Sequence, residues 1–477
     1  MKRLTVFAIA ALVALSARAE KVALVNGTVV NPSDGKIVPS ANVNVIVDGE
    51  RIVSVGSANE TKAPEGVRVI DCAGKFILPG YIDTHIHFFQ SGDLFTRPDA
   101  ADFTKIRPYA DEVAWVKSHL NDVFARYLRC GITSVVDVGG PMWNFEVRKI
   151  ANSTPKAPRV AVAGPLISSV SRPQLNLGDP PIVQVNTPED ARAMVRTLAA
   201  KTPDYIKIWF IVDPDHPVEK FRPIVHAVVD ESHARKLRVA VHATELEAAR
   251  ASVEEGADLL VHSVTDKPVD EPFVHLLKEK GTILCPTLVV FERYGRTFAN
   301  KLNLTPEEKA WGNPEVIASL DVTKIPPDQL PDRVKKALEN PDAPLDRIQH
   351  TYDVGLKNLK ILEDAGIPIA AGTDAGNIGT IHGPALFREF QLMRDAGLTP
   401  MQILQCATSN AARVFATARS GILDENGNPQ IGSIIAGNFA DLIILNSNPV
   451  ADIARASDID RVIKNGTVYD AASLLPR

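Results

Sequence analysis

Cysteine is scarce: Cys72, Cys130, Cys285 and Cys406 are the four in 477 residues. No pair has CxxC spacing, and so sparse a set is no disulfide scaffold, even in an oxidising compartment. Buried free thiols are the expected state, with a single bridge left open. Basic runs are also missing, and the formal net charge is -5. Nucleic acid is therefore not an expected partner. Beyond residue 19 no apolar run is long enough to span a bilayer, and there are no internal repeats or low-complexity segments.

What is present begins with a leader. Lys2 and Arg3 precede the apolar stretch Leu4 to Ala14, and Ala17-Arg18-Ala19 has the small-x-small form of a signal-peptidase site. Cleavage before Glu20 is expected, giving an exported protein, periplasmic or secreted, without a stable membrane span. The alternative is an uncleaved anchor, for which the run is short.

Residues 20–78 carry β-branched runs at Val22–Val25, Val43–Val47, Arg51–Val55 and Val67–Asp71, with turn signals at Asn26-Gly27, Asp34-Gly35 and Asp48-Gly49. They read as short strands of an all-β module. From about residue 77 strands and helices alternate. Strands are expected at 77–87, 132–138, 159–164, 205–209, 238–242, 258–262, 282–285 and 368–374. Helices are expected at Asp111–Arg129, Pro188–Ala200, Val218–Lys236, Glu245–Glu255 and Asp270–Lys280, with caps at Thr187 and Thr244. Eight such units suggest an α/β fold, a (β/α)8 TIM barrel over 79–418. Residues 291–350 interrupt it as a lid or pocket wall, a passive surface insertion being the alternative. Two more helical stretches, Pro384–Ala396 and Pro400–Ala416, follow. Strand character returns at Gly432-Ser433-Ile434, Ala440–Leu445 and Val462–Val468, so 20–78 and 419–477 are expected to join as a small split β-sandwich.

Barrel enzymes carry their chemistry at the C-terminal ends of strands. Those ends hold His85 and His87, Lys207, His242, His262 and Asp374. Residues two apart on a strand share a face, so His85 and His87 converge. Each residue has a bland reading: a hydrogen-bonded core histidine, a lysine pairing an acid or snorkelling, an aspartate capping a turn. Their coincidence favours a divalent-metal site, such as one for zinc, built from four imidazoles, a carboxylate and a lysine.

The motifs Pro79-Gly80-Tyr81-Ile82-Asp83-Thr84-His85-Ile86-His87, Gly131–Gly140, Tyr205-Ile206-Lys207-Ile208, Val241-His242-Ala243, Val261-His262-Ser263, Gly372-Thr373-Asp374-Ala375-Gly376 and Ala440-Asp441-Leu442 resemble, in order, those of the amidohydrolase superfamily. Within it the chain is similar to the imidazolonepropionase-like and Xaa-Pro dipeptidase (prolidase-like) branch. The resemblance implies two divalent metal ions, zinc being expected. His85, His87 and Asp374 would hold the more buried ion, and His242 and His262 the more exposed one. Lys207, as N6-carboxylysine, would bridge them; an ammonium cannot ligate, and single-metal relatives lack the lysine. A metal-activated hydroxide would attack a carbonyl, and Asp374 would move the proton to the leaving nitrogen.

His382 is a further catalytic candidate, for substrate binding or for orienting Asp374; a helix-capping role is the alternative. Thr287 is expected to line the pocket, while Arg388 and Glu389 read as structural. The loops at Trp209–Pro214 and Ser168–Gln174 depart from the prolidase pattern, and Arg172 either meets a substrate carboxylate or is solvated. The expected function is hydrolysis of an amide, peptide or cyclic amide, with a small-molecule amide or an Xaa-Pro-type dipeptide as substrate. Alternatives are a lactonase, esterase or phosphotriesterase on the same site, or a non-catalytic metal-binding protein. A homo-oligomer stays open.

Overall fold

The computed structural model describes residues 21–32, 36–37 and 42–475. The leader, its cleavage site and the Asp34-Gly35 turn lie outside the described residues.

The two ends of the chain meet in one nine-stranded mixed sheet. Its long strand, Val22–Asn31, pairs over its first half with Val43–Asp48 and Arg68–Asp71, and over its second half with Phe76–Pro79 and Lys36–Ile37. Phe76–Pro79 then pairs antiparallel with Leu442–Leu445, made late in the chain, with Leu442 opposite Pro79. Val22, Leu24, Val45, Val47, Ile77, Leu442 and Ile444 form a core of their own. The expected turn at Asp48-Gly49 joins Val43–Asp48 to Arg51–Ser57, with Gly49 in the left-handed region that an L residue resists.

Three local expectations differ. Asn26-Gly27 is not a turn. The strand runs through it as a register shift, with Asn26 at φ +62° and its side chain bonded to Asp71. Asparagine tolerates that conformation and so serves a bulge as readily as a turn. Val462–Val468 is a hairpin, Ile459–Lys464 and Thr467–Asp470, reversing at Asn465-Gly466. Gly432-Ser433-Ile434 forms no strand.

The remaining strands are parallel. Tyr81–Ile86, Ile132–Asp137 and Arg159–Val162 pair in that order. Leu166–Ser168, Tyr205–Trp209, Arg238–His242, Leu259–Val261 and Ile283–Cys285 form the second run, with Ile182–Gln184 at its edge. Residues 368–374 form no regular strand. Isolated bridges nonetheless tie Ile369 to Leu284 and Ala375 to Ile86. Within this segment a Cβ on Gly372 would lie 2.5 Å from Cys285 Sγ and 2.9 Å from the His85 nitrogen. Only glycine lets this segment approach so closely.

Helices cover these strands, including Pro188–Ala199, Val218–His233, Leu246–Glu254, Glu271–Lys280 and Ala385–Asp395. Thr187 caps its helix by accepting from Asp190, as expected, whereas Thr244 does not cap: Glu245 is the N-cap and its side chain makes no cap bond. Two expected helices are each a pair. Tyr109–Ser118 and Leu120–Arg129 break at His119, which stacks on Trp115 at 4.0 Å; Pro400–Cys406 and Ser409–Phe415 break at Thr408. The insertion is helical, with Leu288–Phe298, Pro306–Trp311, Pro314–Ser319, Asp332–Glu339 and Asp342–Asp364 in or across it.

A buried ion cluster fastens the mixed sheet to the parallel strands. Asp441 accepts from Arg159 Nε at 2.8 Å and lies 3.2 Å from Lys464 Nζ. Despite burial, Arg159 and Lys464 hold the Asp441 carboxyl down at about 2. Burial brings Lys464 down to about 8 against the pull of Asp441. All four cysteines are free and buried. Among the described residues no helix is long and apolar enough to cross a membrane.

Candidate active site

His85 is the penultimate residue of Tyr81–Ile86, and His87 lies just past its end. Their Nε2 atoms face each other at 3.3 Å, and both face Asp374 Oδ1, at 3.3 and 3.0 Å. His242 ends its strand and His262 follows Leu259–Val261; their rings stand 4.4 Å apart, and His262 is 5.0 Å from His85. Lys207 sits mid-strand in Tyr205–Trp209, fully buried. These six side chains line one cavity of about 390 Å³.

The backbone is strained here. His262, Thr287 and Asp374 adopt φ of +78°, +45° and +60°. Such conformations persist only where the surroundings enforce them, and they gather at functional sites. Asp83 supplies part of the enforcement. It accepts from the Thr373 hydroxyl at 2.7 Å and from the Thr373 amide at 3.0 Å, and burial pushes its carboxyl up to about 7.

Imidazole orientation is fixed from behind. His87 Nδ1 donates to the Gly139 carbonyl at 2.6 Å, because a carbonyl only accepts, and this turns Nε2 toward the cavity. His262 Nδ1 meets the Thr287 hydroxyl at 2.6 Å. Burial is the largest cause holding His85, His242 and His262 well below the ordinary histidine range, so these rings are neutral. Burial also lowers Lys207 to about 7.

This donor set fits a divalent metal. Lys207 Nζ and His85 Nδ1 are buried without a hydrogen-bond partner, a costly state unless something else satisfies them. One ligand atom each from His85, His262 and Asp374 lies within 4.8 Å of the others. Neutral imidazoles with a carboxylate suit zinc.

Several residues are placed otherwise than expected. His382 does not line the cavity: Nδ1 meets Tyr127 OH at 2.7 Å, and Nε2 donates to the Gln90 carbonyl at 2.8 Å. With both nitrogens engaged and no contact to Asp374, it braces the Gln90 loop. Thr287 likewise lies behind the cavity, against His262. Arg388 and Glu389 make structural contacts, in line with the expectation: Arg388 pairs with Glu292, and Glu389 accepts from the Leu288 and Val289 amides. Arg172 does line the cavity, over the Trp209 ring at 4.9 Å and 3.5 Å from Asp99.

A network around Asp374 leaves almost no trace in the sequence. Asn377 Nδ2 donates to Asp374 Oδ1 at 2.8 Å. Asn377 Oδ1 accepts from Arg97 at 2.8 Å and from Tyr294 OH at 2.6 Å, which fixes the amide orientation. Arg97 in turn holds Asp99 through two bonds of 2.7 Å. Arg97 and Asp99 come from the loop after His87, and Tyr294 from Leu288–Phe298. No local spacing links them; only the Asp374-x-x-Asn377 interval was visible.

A sequence model described as "Amidohydrolase family" matches residues 76–469. The chain belongs to the amidohydrolase family. It is thus an enzyme of the class that acts on carbon–nitrogen bonds. Among curated amidohydrolase relatives, a 5-methylthioadenosine/S-adenosylhomocysteine deaminase of Bacillus cereus is 24% identical, over 94% of this chain and 93% of the relative. An imidazolonepropionase of Streptomyces griseus is 43% identical over 49 residues, 10% of this chain and 12% of the relative. A solved Xaa-Pro dipeptidase with bound methionine superposes with TM-score 0.68 at 23% identity, covering 94% of this chain and all of that one. That likeness is one of fold.

Proposed function

We propose that this amidohydrolase is an exported, metal-dependent hydrolase of an amide, peptide or cyclic amide bond, with Xaa-Pro and similar dipeptides among its candidate substrates. The observation that carries the proposal is Lys207, a buried amine without a partner, in a cavity shared with four imidazoles and Asp374. The six would hold two divalent ions, zinc by donor type, with Lys207 as its carbamate. Bound there, the ions supply Lewis acidity toward a carbonyl oxygen and acidify a coordinated water.

The chain's own residues do the rest. Asp374 Oδ1 faces His85, His87 and Asn377, so Oδ2 is the oxygen assigned to proton transfer. It takes the proton of the water that attacks the carbonyl carbon, then delivers it to the nitrogen as the C–N bond breaks. The products are an acid and an amine. Phe89, Trp209, Phe291 and Tyr294 give the cavity apolar walls, and Arg97 and Arg172 supply charge.

The architecture assigned to this function is a (β/α)8 barrel over 79–418, closed through residues 368–375 and carrying the 291–350 insertion as a pocket wall. Residues 20–78 and 419–477 form the split β domain, and 1–19 a leader removed before Glu20. Mass measurement of the mature protein tests the leader; a chain retaining Met1–Ala19 in its native host removes the export proposal. The function is tested by metal analysis and by screening the metal-loaded protein against N-acyl amino acids, Xaa-Pro and other dipeptides, cyclic ureides, lactones and 5-methylthioadenosine. Amide turnover that disappears on chelation and returns with zinc supports the reading. Less than one divalent ion per chain, or turnover of lactone or nucleoside alone, overturns it.

A further inference from the structure

Beside the catalytic cavity lies a second one, of about 300 Å³, built by the insertion. Phe291, Tyr294 and Arg333 line both, so the two share a wall. The second cavity has an apolar floor that includes Phe298, Ala337 and Ile348. Its charged lining is Arg333, Lys336 and Arg347, with no aspartate or glutamate. None of the three cations forms an ion pair among the described residues. Arg333 lies over the Phe298 ring at 5.2 Å and makes one long contact, 3.4 Å, to the Ala100 carbonyl. The catalytic cavity differs: there Asp99 already engages Arg97 and Arg172.

We propose that this second cavity binds an anionic, largely apolar arm of the substrate, its hydrocarbon body on Phe291, Phe298 and Ile348 and its carboxylate among Arg333, Lys336 and Arg347. The inference rests on the hydrolase reading and narrows it, to amides that bear a carboxylate at the far end of an apolar arm. Three cations without a local carboxylate favour an anion over a neutral or cationic group. An apolar floor with a few charges at its edge is the usual make-up of a small-molecule site. Phe291 and Tyr294 line both cavities, so the proposal places the inner end of the arm against these two rings, on the side of Asp374.

The test uses calorimetric binding of 4-phenylbutyrate and of its neutral isostere 4-phenylbutanol to the metal-loaded full chain. The variants are Lys336→Ala/Arg347→Ala and, as a control on the same helix, Lys335→Ala. Wild type and control should bind the acid at least tenfold tighter than the alcohol. The double variant should lose that preference while binding the alcohol as before. Both substitutions are at exposed positions, so folding is not at risk. An acid affinity unchanged in the double variant overturns the proposal, because a carboxylate held only by the site's metal ions is indifferent to Lys336 and Arg347. Equal wild-type affinity for acid and alcohol overturns it too. Among amides, a terminal carboxylate should raise kcat/KM at least tenfold over its methyl ester in wild type and not in the double variant. If no amide is turned over while the calorimetric pattern holds, the hydrolase reading fails and the anion site stands.

Discussion

Asn377→Ala isolates the contribution of the network behind Asp374. The change removes the 2.8 Å bond to Asp374 Oδ1 and leaves Arg97 and Tyr294 OH without their shared acceptor. A hydrogen bond to a charged group is worth about 1.5–3 kcal/mol. If its role is to fix the carboxylate for proton transfer, about 2 kcal/mol is lost in the transition state, or roughly 30-fold in kcat. KM should move by less than about threefold, because Asn377 holds the carboxylate and not the carbonyl being attacked. Stability should fall by about 1–3 kcal/mol, the cost of unpaired buried donors. Asn377→Asp is the companion: the same size, but ionised it cannot donate, and it faces Asp374 with like charge. Its kcat should fall at least as far. The assay is steady-state kinetics on the best amide of the screen, with metal content and thermal midpoint measured on the same preparations. A kcat within threefold of wild type at unchanged metal content refutes the reasoning and leaves Asp374 oriented by other groups.

Other outcomes follow from the same geometry. Asp374→Asn should keep the fold but cut turnover by about two to four orders of magnitude, and near wild-type rates would remove the proton shuttle. Lys207→Met should lower the divalent metal content and abolish a carbamate carbon signal seen after incubation with ¹³C-bicarbonate; its persistence in the variant would place the carbamate elsewhere. For Asp441 the folded carboxyl, at about 2, lies below its unfolded value near 4. Its contribution, about 2 kcal/mol, is therefore fully present above pH 4 and lost as pH falls toward 2. Acid unfolding of Asp441→Asn should lack that component, and identical acid profiles would contradict the assignment.

The residues that converge on the cavity are legible because five sit at or just past the end of a short apolar run and Lys207 interrupts another, and a parallel strand with both faces covered is such a run. The residues that hold them are not. Arg97, Tyr294 and Asn377 meet across long sequence separations, and no periodicity records such meetings. His382 departs from the catalytic expectation for a related reason: a histidine near a site is equally suited to bracing a loop, and its partners Tyr127 and the Gln90 carbonyl come from other segments. Asn26-Gly27 shows the same limit locally. The dipeptide announces a left-handed residue, yet whether the chain reverses or bulges depends on Asp71 and Val43 across the sheet. Segment 368–374 is legible because its composition is strand-like, although only isolated bridges tie it to its neighbours.

The pairing of Phe76–Pro79 with Leu442–Leu445 has a consequence for biosynthesis. The opening strands leave the ribosome long before their neighbour exists. Until the last tenth of the polypeptide emerges, Ile77 and Leu78 have no partner on that side, and an open apolar edge is exposed to other chains. Shortening the C-terminus past Leu442 should therefore yield aggregates rather than a smaller enzyme, even though the truncation removes none of the six residues around the cavity.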